Sequence, residues 1–160
     1  MSNYKEWATA ISTPHTDYET LNRYSSCNIK AVELSVGWDK IDQINWEEFR
    51  ANADKAGIEI CSYHLPFCGS VNIASLNWES RYTTAFIHSS LIEKACNVGI
   101  KRFVVHPSAE PIADNDRAAS MDAAKQTLHK LADVAEKFGA VICVENLPRT
   151  CLHKSSKNGQ

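Results

Sequence analysis

The 160-residue sequence has no apolar run near the ~18 residues that a membrane-spanning helix requires. It also lacks a C-x-x-C pair, a G-x-G-x-x-G and a G-x-x-x-x-G-K-[ST]. Those absences remove the main support for a zinc ribbon, a thioredoxin-type redox site, a dinucleotide-binding fold and a P-loop. Excess charge of one sign is missing too: 17 Lys and Arg stand against 19 Asp and Glu, a net -2. Nucleic acid and anionic membranes are gripped by clustered cations, so this balance disfavours both as partners. The opening residues, Met1 to Glu6, lack the charged-then-apolar order of a signal peptide. What is present is ordinary globular composition, 44% hydrophobic and 22% charged. One domain is expected, and it is too short for a complete (β/α)8 barrel, which takes about 250 residues.

Six cysteines suggest a disulfide framework only when their context is ignored. Cys61 and Cys143 sit in apolar strand-like runs, and Cys96 lies on the apolar side of a helical pattern. Free cysteines behave as small buried hydrophobes in reducing compartments. Reduced thiols and a cytoplasmic location are expected.

The organising signal is a repeat of architecture. Three times a helical pattern ends at a glycine, a β-branched run follows, and a polar residue stands at its end. The passages are Gly57 to His64, Gly99 to His106 and Gly139 to Glu145, with the glycines 42 and 40 residues apart. A weaker copy, Asn28 to Glu33, has Asn in place of Gly; both tolerate the left-handed conformation that closes a helix. Between them, Met121, Ala124, Leu128, Leu131, Ala135 and Phe138 form one apolar stripe. Tyr82, Ala85, Phe86, Ile92, Ala95 and Cys96 form another, widened by Ile87 and Leu91. Asn45 and Glu48 have the spacing of a capping box. A first strand near Ala8 to Ser12 and a first helix around Tyr18 to Tyr24 complete the pattern. Strands alternating with amphipathic helices mean βαβ units and a parallel sheet. The continuous apolar runs Phe103 to Val105 and Val141 to Val144 read as strands covered on both faces. Units of about 40 residues suit a barrel or an open doubly wound sheet. Polar residues at successive strand ends favour the barrel, where those ends converge on one site.

Proline follows each of His64, His106 and Glu145 within one to three residues, which places the three at the rim. Two imidazoles and a carboxylate suit a borderline divalent metal such as zinc or manganese. A metal there acts as a Lewis acid on a carbonyl or phosphoryl oxygen, and a carboxylate beside it shuttles a proton. Glu33, at the end of the weaker copy, is a further candidate for substrate binding, and Arg149 is placed to grip an anion. His15 marks the end of the first strand. His88 and His129 read as ordinary helix residues, His153 sits in a polar tail, and Trp38, Trp46 and Trp78 as packing or loop anchors. Asn72 reads as a turn residue or a substrate ligand.

Tyr63-His64-Leu65-Pro66-Phe67 with Asn72-Ile73-Ala74-Ser75, then Val105-His106-Pro107, then Val144-Glu145-Asn146 resemble the xylose-isomerase-like TIM-barrel superfamily. That group includes sugar-phosphate isomerases and epimerases and the apurinic/apyrimidinic endonucleases. The string Glu145 to Thr150 is similar to the isomerase/epimerase branch, and the resemblance runs from about Ile29 to Leu152. It implies an incomplete (β/α)8 barrel over residues 1–150, with about five parallel strands and four helices, and a polar tail over 151–160. Strands six to eight have no counterpart in the sequence. In the endonuclease branch the resemblance implies that His64, His106 and Glu145 bind zinc. In the epimerase branch it implies that Glu145 binds the divalent metal and serves as acid and base, with the other ligands on later strands. The expected substrate is a small sugar or sugar phosphate, held by Glu33, His64, His106 and Arg149. The alternatives are a catalytically inactive part of such a barrel and a zinc-dependent phosphodiesterase acting on abasic DNA. An open sheet edge at Val141 to Glu145 is expected to drive self-association.

Overall fold

The computed structural model describes residues 10–146. Five strands, β1 (Ala10–Thr13), β2 (Ala31–Ser35), β3 (Glu59–His64), β4 (Arg102–Val105) and β5 (Val141–Val144), form one sheet. All are parallel and lie in chain order, β1-β2-β3-β4-β5. Helices α1 (Tyr18–Ser26), α2 (Trp46–Ala56), α3 (Trp78–Asn97) and α4 (Arg117–Glu136) connect them, with 3-10 turns at Trp38–Gln43 and Asp114–Asp116. A doubly wound sheet reverses its strand order at a switch point, whereas a barrel wall adds strands in sequence. The unbroken order is therefore that of a barrel wall. Arg149, His153 and the tail 151–160 lie outside the described residues.

Local chemistry fixes the element ends. Asp17, Asn45 and Asn77 cap α1, α2 and α3 by accepting from Thr20 N, Glu48 N and Ser80 N at 2.8, 3.2 and 2.9 Å. The Asn45–Glu48 pair closes through side chains, Asn45 Nδ2 donating to Glu48 Oε2 at 3.0 Å, rather than through the cap's backbone amide. Gly57, Gly99 and Gly139 adopt φ of 68, 90 and 62°, and Asn28 matches them at 62°. The repeated Gly and Asn thus mark helix exits into the next strand.

Strand alternation sorts the residues into two faces. Val32, Leu34, Ile60, Tyr63, Phe103 and Val105 point to the helices and form the core with Leu21, Phe49, Ile92 and Leu131. The opposite, inner face carries Glu33, Ser35, Ser62, His64, Val104 and Cys143, as the strand register requires. A bulge between Val32 and Glu33 restores that phase, pairing Glu33 with Ser62. Because this face is mostly small and polar, it leaves less apolar surface open than a layered barrel interior would. The reading of Val141 to Val144 as doubly covered is corrected at β5. Val141 and Val144 are 54% and 51% exposed, and Cys143 is exposed as well. In the described sheet β5 has a neighbour on one side only.

Two helix faces differ from the sequence reading. Met121 is exposed, while Ser120, Ala123 and Thr127 join Ala124, Leu131 and Ala135 on the buried side of α4. Thr127 takes its place there because its hydroxyl donates to Ile73 O at 2.9 Å. On α3 the inward row is Thr84, Ala85, His88, Leu91, Ile92, Ala95 and Cys96, and Tyr82 and Phe86 face solvent. His88 is the reason: its Nε2 donates to Pro66 O at 3.0 Å, so a polar residue occupies the core-facing row. Trp78 is 66% exposed, whereas Trp46 is buried edge-on to Tyr63 at 5.2 Å. Among the described residues, no helix is long and apolar enough to cross a membrane.

Burial lowers the His88 pKa from its usual 6.5 to about 4, outweighing the bond to Pro66. Between those values the unfolded chain binds a proton that the folded chain refuses. His88 therefore contributes stability above pH 6.5 that is lost as pH falls toward 4. A shift of that size corresponds to roughly 3 kcal/mol. Urea unfolding of His88→Phe is expected to show a shallower acid slope across this window. An unchanged slope would place the acid sensitivity elsewhere.

Candidate active site at the strand ends

His64 is the last residue of β3, and His106 and Glu145 each stand one position beyond their strands, after Val105 of β4 and Val144 of β5, on the inner side of the sheet. The ladder still grips the chain there: Leu65 N donates to Val104 O at 2.8 Å and Glu145 N to Val105 O at 3.0 Å. Strand backbone thus sets the direction of each side chain. The three converge. Glu145 Oε2 lies 3.1 Å from His64 Nε2 and 2.8 Å from His106 Nε2. One donor atom from each residue falls within 4.8 Å of the others.

The tautomer of His64 is constrained by its other nitrogen. Nδ1 is 3.0 Å from Leu65 O, a carbonyl that only accepts, so Nδ1 carries a hydrogen. In the neutral ring, Nε2 then presents a lone pair to the Glu145 carboxylate. That contact joins two acceptors unless a cation, either a proton or a metal ion, stands with them. His106 has no such restriction and can donate from Nε2 to Glu145. A neutral imidazole with its Nδ1–H held by a carbonyl is the usual form of a metal-binding histidine. The donor set N, N, O fits zinc or manganese.

Phe67 closes one side. Its ring stacks on His106 at 3.5 Å between centroids, with planes 22° apart, and lies 5.2 Å from the His64 ring. Burial holds the His106 pKa below its ordinary value. Glu145 pulls the other way, and His64 adds to the lowering. Beside the cluster a cavity of about 180 Å³ is lined by Ser35, Trp38, His64, Leu65 and Phe67. Phe67 belongs to the Tyr63 to Phe67 motif, but nothing in the sequence marked its ring as a wall of the site.

The other candidates stand apart. Glu33 lies deeper on the inner face, where its Oε2 accepts from Ser62 Oγ at 2.8 Å. His15 is exposed after β1, 3.9 Å from Asp17. Asn72 acts as a loop clamp: its Oδ1 accepts from Ala74 N at 2.9 Å and Ala109 N at 3.2 Å, tying the loops after β3 and β4 together. Arg149 falls outside the described residues.

A family model described as a xylose isomerase-like TIM barrel matches residues 21–157. Among solved structures, D-psicose 3-epimerase from Clostridium cellulolyticum H10 is similar with a TM-score of 0.73 at 15% identity. That match covers 89% of this chain and 53% of the epimerase. A D-tagatose 3-epimerase-like protein gives a TM-score of 0.73 at 26% identity, over 89% of this chain and 54% of its own. The 3-keto-D-glucoside 4-epimerase from E. coli gives 0.71 at 18% identity, over 89% and 57%. The chain spans about half the length of these structures. No curated protein matches the sequence.

Glu145 favours the His106 imidazolium, so removing its charge should depress the His106 pKa further. An NMR titration of the His106 ring in Glu145→Gln, without added metal, is expected to show a lower midpoint than in the parent chain. An unchanged midpoint would mean that the two groups do not meet.

Proposed function

We propose that this chain, which belongs to the xylose isomerase-like TIM barrel family, carries the metal-binding and proton-transfer part of a sugar isomerase/epimerase site. The observation that carries the reading is the convergence of His64 Nε2 and His106 Nε2 on Glu145 Oε2. The reaction is proton transfer at a carbon next to the carbonyl of a small sugar or sugar phosphate. His64, His106 and Glu145 are the residues that hold a divalent cation, zinc or manganese. Bound there, such a cation polarises a carbonyl oxygen and offsets the negative charge that grows as the neighbouring C–H proton leaves.

The chain's own groups do the rest. Glu145 Oε2 faces the two imidazoles, and Oε1 has no hydrogen bond among the described residues. Oε1 is therefore the oxygen suited to take and return the proton. His64, fixed by Leu65 O, and His106, backed by the Phe67 ring, line the place where the substrate oxygens beside the reacting carbon lie. Glu33 and Arg149 complete substrate binding, with Arg149 meeting a phosphate where the sugar carries one. A cytoplasmic setting belongs to the same reading.

The neighbours named for D-psicose and D-tagatose make a ketose the first substrate to test. Deuterium from solvent is expected to enter D-tagatose beside its carbonyl when the metal-loaded protein is present, as read by mass spectrometry. Glu145→Gln should abolish that exchange, a loss of roughly 100-fold or more for a missing acid/base group. Exchange retained in the Gln variant would remove Glu145 from the chemistry. Zinc-dependent cleavage of an abasic oligonucleotide, without sugar exchange, would move the same N, N, O site to phosphodiester hydrolysis.

A further inference from the structure

The outward face of α3 carries Trp78, Tyr82 and Phe86, spaced four residues apart and 66, 62 and 68% exposed. Side chains four apart on a helix stand one above the other, so the three rings form a continuous stripe. A helix lying on a sheet normally turns a polar face to water. Here three rings stand on the outward face among the exposed Glu79, Thr83, Glu93 and Lys94. Aromatic side chains bury about 150–250 Å² each, so three rings exposed to this degree leave roughly 300–450 Å² of apolar surface. Patches of that size on a monomer are commonly binding sites.

Barrel completion would not cover the stripe. α3 joins β3 to β4, the third and fourth strands of five, and further strands would add at the sheet's ends. Alongside the stripe runs a groove of about 520 Å³ between the Trp38–Gln43 turn and α3. Trp38, Ile41, Phe86 and Leu91 give it an apolar lining, Asp42 stands on one rim and Lys94 on the other. Lys94 is exposed and has no ion-pair partner among the described residues.

We propose that this face is the interface of a two-fold symmetric dimer of the chain, in which Trp78 of each copy seats in the other's groove. The groove asks for a ring that complements a cation on one rim and a carboxylate on the other. An indole does both, offering its π face to an ammonium group and its N–H to a carboxylate. Antiparallel packing of α3 on α3 about an axis near Thr84 supplies the ring. It sets Tyr82 against the partner's Phe86 and Trp78 against the partner's Ser90, beside the partner's Lys94. Knob and groove lie on one helix face, which is what an isologous contact requires. The area is about half the ~800 Å² per partner of a standard interface, so the dimer should dissociate in the micromolar range. This inference stands apart from the strand-end site.

Sedimentation equilibrium of the full chain from about 1 to 300 μM tests it. The mass is expected to rise from 17.8 kDa toward twice that value. The double variant Trp78→Ser with Phe86→Ser should remain monomeric throughout, with an unchanged circular dichroism spectrum, because both side chains are exposed. Lys94→Glu should weaken association at least about 5-fold, and Lys94→Arg, which keeps the cation, should preserve it. Val141→Lys, on the open β5 edge, should leave the dimer intact. A parent chain that stays monomeric would overturn the proposal. So would a dimer indifferent to Trp78 and Phe86, or one abolished by Val141→Lys. If the double variant loses its fold, the Lys94 pair decides alone: equal dimerisation of the Glu and Arg variants overturns the proposal.

Discussion

Glu145 Oε2 stands 3.1 Å from His64 Nε2, and the carbonyl of Leu65 decides what that contact can be. By taking the hydrogen of Nδ1, Leu65 O leaves Nε2 without one in the neutral ring. A lone pair then faces a carboxylate, and only a cation between or upon them makes the approach favourable. The Leu65 amide is itself bonded to Val104 O, so the restriction is written into the sheet rather than into a mobile side chain. The suitability of His64 Nε2 and Glu145 Oε2 as ligands for a cation follows from it.

The same sheet explains how a site can be assembled by part of a barrel. Parallel strands in sequential order direct their C-terminal ends to one side, and three adjacent strands suffice to gather two imidazoles and a carboxylate. The inner face beneath them is lined by Glu33, Ser35, Ser62 and Val104, so water there is tolerated better than on an apolar layer. Exposure is concentrated instead at β5, where Val141 and Val144 have a strand neighbour on one side only among the described residues, and on the outer side of α3. The first is the end of the described sheet. The second is independent of how the sheet continues.

Much of this arrangement was legible in the sequence because its punctuation is local. Gly57, Gly99, Gly139 and Asn28 report left-handed helix exits, and the offset from each to His64, His106 and Glu145 counts residues along a strand. The counts of 7, 7 and 6 place all three at strand ends, while their common face comes from the ladder, in which Arg102 pairs with Val141 and the β2–β3 pairing is shifted by a bulge. Faces of helices were less legible. On α3 the aromatics look like core and His88 like an ordinary helix residue, yet the carbonyl of Pro66, 22 residues away, draws His88 inward and turns Tyr82 and Phe86 out. The depth of Glu33 was equally hidden: the bulge at Val32 and Glu33 pairs it with Ser62, below the strand ends. Long-range hydrogen bonds and register shifts leave no mark in periodicity.

The N, N, O site is the claim on which the functional account turns, and X-ray absorption at the zinc edge of the zinc-loaded chain addresses it directly. The account predicts a low-coordinate shell containing two imidazole nitrogens and a carboxylate oxygen at about 2.0–2.2 Å, losing its imidazole scattering in the double variant His64→Ala with His106→Ala. A shell of water oxygens alone, or one dominated by sulfur at about 2.3 Å, would contradict it.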